Sequence, residues 1–151
     1  MSLTRVEKAY IAGIIDGEGC IYVKEVPTRG RTTIKTVLVV NLTSLNLIRW
    51  LQSKTKMGNV NPSTYGINEK RRREKGHKKS RRWEVSGKEF TTLLKAVFPY
   101  LRIKGKQAKL ALELKDLQAK SNAGMKYDKV RQDEIVKKIK NLNRRGEKRA
   151  S

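Results

Sequence analysis

Hydrophobic residues near the start of the chain recur at Val6, Tyr10 and Ile14, with Ile11 and Ile15 beside them. That spacing predicts an amphipathic helix reaching about Gly17. Ser2 or Thr4 can cap it, and Glu7, three residues after Thr4, completes a capping box. Ala9, Gly13 and Gly17 fall four apart and line one nearly bare stripe of this helix. Glycine inside a helix is unfavourable by roughly 1 kcal/mol relative to alanine, so two of them ask for a reason. One is close approach of a second helix along the stripe. Another is delivery of a carboxylate, Asp16 or Glu18, at the helix end.

The period then changes. Cys20 to Val26 reads as a strand, Pro27-Thr28-Arg29-Gly30 as a turn, and Thr32 to Thr43 as a second strand rich in β-branched residues. Leu38, Val40 and Leu42 would face one way, and Lys35, Val37, Val39 and Asn41 the other. Because the second face is also partly apolar, it is expected to be covered, for example by a ligand. Ser44 is placed as an N-cap before a second amphipathic helix built on Leu45, Leu47, Ile48, Trp50 and Leu51. Asn59 to Ile67 is a weak third strand and Trp83-Glu84-Val85 a fourth. Helices follow over Phe90 to Leu101, interrupted by Pro99, then Lys106 to Lys120 and Asp128 to Leu142.

Helix, two strands, helix, two strands and further helices describe an α+β fold: an αββαββα core with a four-stranded antiparallel sheet, helices on the opposite face, and C-terminal helices. Residues 1–142 read as one domain and 143–151 as a basic flexible tail. The open face of the sheet would carry Lys24, Arg29, Arg31, Lys35, Asn41, Asn61, Ser63, Arg82 and Glu84.

Charge alters this picture more than any other bulk property. Lys and Arg number 36 against 14 Asp and Glu, a formal net charge of +22 in 151 residues. That excess exceeds what solubility needs and points to a polyanion, most simply nucleic acid. The run between Asn68 and Arg82, which contains Arg72, reads as a phosphate-tracking hairpin connection. A single cysteine, Cys20, excludes an intrachain disulfide and fits a reducing, intracellular setting: the cytoplasm of a prokaryote, or an organelle. With one histidine, His77, no Cys/His metal site can be assembled. No apolar run approaches a membrane span, and no signal peptide is seen.

The stretch Ile11-Ala12-Gly13-Ile14-Ile15-Asp16-Gly17-Glu18-Gly19 resembles the LAGLIDADG motif of homing endonucleases. A second block, Pro99 to Ala108, is similar to the one that carries that family's active-site lysine. One copy of the motif resembles the single-motif, homodimeric branch, with Ala9, Ala12, Gly13 and Asp16 at the seam between motif helices. The resemblance implies a metal-dependent phosphodiester hydrolase acting on double-stranded DNA. It assigns Glu18 and the Gly17 carbonyl to a divalent metal, Mg²⁺ or Mn²⁺, with Ca²⁺ as a non-cleaving substitute. Two Glu18 residues would meet at the dyad, where like charges need a cation between them. Lys104 would polarise the attacking water or stabilise the transition state. Asp16 is expected to be a hydrogen-bonding or capping residue, because two positions along a helix it points away from Glu18. Ser44 and Ile48 fall where relatives often carry glutamine and arginine of a water network. Ile48 cannot do that polar work, and Lys106 or Arg102 could compensate.

The expected activity is site-specific cleavage of both strands of a long pseudo-palindromic target, as in an intron-encoded homing endonuclease. The absence of splicing-type ends favours the intron-encoded form. An RNA maturase and a non-catalytic DNA-binding protein are the alternatives; Glu18 and Lys104 favour the nuclease.

Overall fold

The computed structural model describes residues 2–62, 76, 79–126 and 128–144. Helix α1 spans Arg5–Glu18 and begins at a capping box: Thr4 Oγ1 accepts the Glu7 N–H at 3.2 Å, and Glu7 accepts the Thr4 N–H at 2.9 Å. These bonds satisfy two of the donors that every helix start leaves open. Strands β1 (Gly19–Thr28) and β2 (Arg31–Leu42) follow as a hairpin. Its turn is Arg29-Gly30, with φ of 45° and 77°; two central residues of positive φ match the twist of the flanking strands. Pro27 therefore lies within β1, where an edge strand tolerates a residue with no N–H to donate.

Helix α2 (Leu45–Thr55) starts at Ser44, whose Oγ accepts the Leu47 N–H at 3.3 Å. Strand β3 is Asn59–Pro62 and β4 is Arg81–Ser86. The rest of the expected third strand, and the basic connection with Ser63, Arg72 and His77, lie outside the described residues, as do residues 145–151 of the tail. Helix α3 (Gly87–Val97) passes into a 3₁₀ turn at Phe98–Tyr100, where Pro99 ends α-helical pairing. Helices α4 (Gly105–Asn122) and α5 (Lys129–Leu142) complete the described chain, and Asp128 caps α5 through the Arg131 N–H at 2.8 Å.

The sheet is antiparallel throughout, in the order β1-β2-β4-β3. All five helices contribute to the core on one face. Ile11 and Ile15 of α1, Ile48 and Leu51 of α2, Phe90 and Leu94 of α3, Leu114 of α4 and Ile135 of α5 pack with Ile21, Leu38, Val40, Trp83 and Val85 of the sheet. Gly58 fixes the join between α2 and β3. It sits at φ 74°, and a β-carbon there would lie 2.6 Å from Trp83 Nε1, while that nitrogen donates to the Met57 carbonyl at 2.9 Å.

Val37 and Val39 are buried as expected, but protein side chains, not a ligand, lie over them. Tyr22 is opposite Val37 and Glu84 opposite Val39 in the ladder. Contacts between β1 and β4 side chains cross β2 at these rows, as the next subsection describes.

Candidate active site and nucleic-acid interface

Glu18 is the last residue of α1 and is exposed. The helix C-terminus leaves carbonyls without intrahelical partners and carries partial negative charge, which favours a cation. No basic residue occupies its last turn. The cation comes from 88 positions along the chain: Lys104 Nζ donates to the Asp16 carbonyl. Asp16 also holds the backbone that carries Lys104. Its Oδ2 accepts the Arg102 N–H at 2.7 Å and its Oδ1 the Lys104 N–H at 2.9 Å. Burial alone would raise the Asp16 carboxyl; the backbone N–H groups and the Lys104 charge outweigh it and hold the group below its ordinary value.

Glu18, Gly17 and Lys104 are therefore assembled at one end of α1. Among the described residues no group of three or more His, Cys, Asp or Glu side chains could hold a metal ion. The end of α1 thus offers oxygen donors for a hard cation: one carboxylate, Glu18, and helix-end carbonyls such as Gly17. This donor set fits Mg²⁺, which takes few protein ligands and completes its shell from phosphates and water.

Two expected supporting residues do other work. Ser44 is spent on capping α2, and Ile48 is fully buried in the core, with no access to solvent near the site. Arg102 and Lys106 are exposed beside Lys104.

The residues expected at a helix seam divide. Ala9 and Gly13 are exposed on α1, with Gly17 following. Ala12, however, is fully buried in the core of the chain, and Asp16 is 9 % exposed and turned onto the 102–104 backbone. Four-residue spacing from Ala12 to Asp16 points inward, so neither belongs to the exposed stripe. Val6 and Tyr10, 78 % and 52 % exposed, replace them there. Tyr10 stacks edge-on against Trp50, with ring centroids 5.3 Å apart.

On the sheet, alternation sends Lys24, Arg31, Lys35, Asn41, Asn61, Arg82 and Glu84 to the face opposite the helices. Arg29 is exposed at the hairpin tip. Arg82 Nη2 donates to Tyr22 Oη at 2.7 Å, its Nε donates to Glu84 Oε2 at 3.1 Å, and Lys24 Nζ reaches Glu84 Oε1 at 3.5 Å. Burial would lower the Arg82 guanidinium; Tyr22 and Glu84 overcome that and hold it above its ordinary value. Pattern reading overlooked Tyr22 on this face, although its even spacing from Lys24 marks it.

The sequence matches no protein-family model and no curated protein. Solved structures do resemble it. The homing endonuclease I-CvuI, in complex with its target in the presence of calcium, aligns over 97 % of this chain and 87 % of its own at 22 % identity, with a TM-score of 0.71. The archaeal intron-encoded homing endonuclease I-Vdi141I, complexed with DNA, aligns over 97 % and 89 % at 12 % identity and a TM-score of 0.73. The LAGLIDADG homing endonuclease I-GzeII, in complex with a DNA target, aligns over 93 % of this chain but 44 % of its own, at 16 % identity and a TM-score of 0.56. The likeness to these three structures is one of architecture, and it establishes that this chain has the fold of the LAGLIDADG homing endonucleases.

Proposed function

We propose that the protein is a homodimeric, site-specific DNA endonuclease that hydrolyses both strands of a pseudo-palindromic duplex with a divalent metal. The observation that carries this reading is the union of Lys104 with the end of α1, at the Asp16 carbonyl two residues before Glu18. A carboxylate and an ammonium at one exposed helix end, beside a basic sheet face, suit phosphodiester hydrolysis better than passive binding.

Glu18 and the Gly17 carbonyl would hold the metal, which when bound lowers the pKa of a water and offsets charge on the phosphate. Lys104 contributes a fixed positive charge where negative charge builds in the transition state. The Asp16 carbonyl keeps that ammonium at the helix end. Lys24, Lys35, Arg31 and Arg82 supply phosphate and base contacts, and Asn41 and Asn61 have the chemistry for adenine edges.

Two arguments support the homodimer. Among the described residues no cluster of three or more metal-binding side chains forms, so one chain gives the metal a single carboxylate, Glu18, and a second Glu18 would complete the site. Gly13 and Gly17 also have nothing within 4 Å of an added β-carbon, so the protomer itself gives no packing reason for them; a second α1 does. Strands β1 and β2 of 10 and 12 residues extend about 33–40 Å, about one turn of B-DNA per protomer.

The test is selection from a random duplex library with Mg²⁺, scored for cleavage and for symmetry of the recovered site. Expected is a two-fold site of about two helical turns, cut by the wild type and bound but uncut by Glu18→Gln. A wild type that binds without ever cutting, or Glu18→Gln cutting at the wild-type rate, refutes the reading.

A further inference from the structure

We propose that Asp16 is the positioning residue for Lys104: it fixes the backbone of the lysine with its carboxylate and the lysine's ammonium with its own carbonyl. The proposal rests on the endonuclease reading above.

Lys104 stands at the N-cap of α4, with φ −96° and ψ 14° and no side-chain capping bond. Lysine has no acceptor to cap a helix start, and Ser, Thr, Asp or Asn ordinarily serve there. The Leu101 N–H still closes the 3₁₀ turn on the Phe98 carbonyl and the Lys104 carbonyl accepts the first bond of α4, but the N–H groups of Arg102 and Lys104 have no partner in either element. Something else must set the direction in which the lysine leaves the backbone.

Asp16 supplies it at three points. Both carboxylate oxygens are used, on the N–H groups of Arg102 and Lys104 at 2.7 and 2.9 Å. Leu101 anchors the start of this segment in the core, but the Ile103 side chain is 62 % exposed, so beyond Leu101 the backbone curls around the carboxylate. The third point is the Asp16 carbonyl, which accepts from Lys104 Nζ. One residue thus grips both ends of the lysine, and it does so from α1, two residues before Glu18. Movement of the lysine relative to the carboxylate is removed at its source. A carboxylate is required for this. Two donors converge on two acceptors, and an amide would turn its NH₂ against one of them.

Asp16→Asn, Lys104→Ala and the double variant test this on full-length protein with the selected duplex and Mg²⁺. Expected for Asp16→Asn is a fall in kcat of roughly 10- to 100-fold, as small misplacements of a catalytic group produce, with DNA Kd and KM unchanged. The double variant should be no slower than Lys104→Ala, and Asp16→Glu, which keeps two acceptors, should recover part of the loss. Amide exchange in the metal-free, DNA-free wild type should show protection at Arg102 and Lys104. Should Asp16→Asn fail to fold, Arg102→Pro removes one of the two N–H donors without altering either residue. Leu101 already holds the extended backbone, φ −70° and ψ 134°, that must precede proline. The same selective loss of kcat is expected.

Losses that multiply in the double variant, or unprotected amides at Arg102 and Lys104, overturn the proposal. A wild type that binds but never cleaves overturns the endonuclease reading, and this proposal with it. A cleaving wild type with multiplicative losses overturns this proposal alone.

Discussion

The Tyr22 hydroxyl accepts a hydrogen bond from Arg82 at 2.7 Å across an intervening strand. Tyr22 belongs to β1 and Arg82 to β4, so the bond passes over β2 at the rows of Val37 and Val39. It orients a guanidinium on the face proposed to read DNA. Tyr22→Phe removes the acceptor and leaves the ring. The expected result is unchanged folding and a loss of discrimination at one base pair of each half-site, worth about 1–3 kcal/mol for a well-made Arg–base contact. Competition binding against duplexes substituted one position at a time would detect it. An unaltered specificity profile would count against Arg82 as a base reader.

Gly13 faces open space within the protomer. Leucine is the better helix former by roughly 0.8 kcal/mol, so Gly13→Leu should leave the helix content of the protomer intact or slightly raised. A side chain on the bare stripe should nevertheless separate two α1 helices. Sedimentation equilibrium is expected to give a dimer for the wild type and a monomer for the variant, and a dimeric variant would remove α1 from the interface.

Gly58 has the opposite environment. Alanine there would combine a φ of 74° with a β-carbon 2.7 Å from the Glu84 carbonyl and 2.6 Å from Trp83 Nε1. Gly58→Ala should destabilise the fold by about 2 kcal/mol or more, read by chemical denaturation as a lower midpoint at the same slope.

Asp16 ionises below its ordinary value of 3.8 in the folded protein because backbone N–H groups and Lys104 outweigh its burial. A depressed folded pKa contributes stability that is present above the unfolded value and lost as pH falls through the folded one. In metal-free protein the stability gap between wild type and Asp16→Asn should therefore be full above about pH 4 and shrink in more acid solution. A gap independent of pH would show that the Asp16 charge contributes nothing to stability.

Much of the fold was legible along the chain because local signals agreed. Thr4 with Glu7, Ser44 and Asp128 mark helix starts that the structure uses, and alternation in β2 separated Leu38 and Val40 from Asn41 and Lys35. The turn at Arg29-Gly30 was expected to be longer. Hairpin twist, which favours two residues of positive φ, drew Pro27 and Thr28 into the strand. Ala12 was expected at a helix seam and is buried in the core instead, because a periodic position states which residues share a face but not which face meets the core.

The order of elements, the excess of positive charge, and Glu18 at the end of a glycine-bearing helix are readable along the chain, because these depend on spacing and residue chemistry within a few turns. The partners of Asp16 and Tyr22 follow from the folded arrangement alone. Asp16 meets Lys104 across 88 positions and Tyr22 meets Arg82 across 60. Contacts of that range are set by strand order and helix packing, where the burial of one face of every element decides which polar groups are left together on the other.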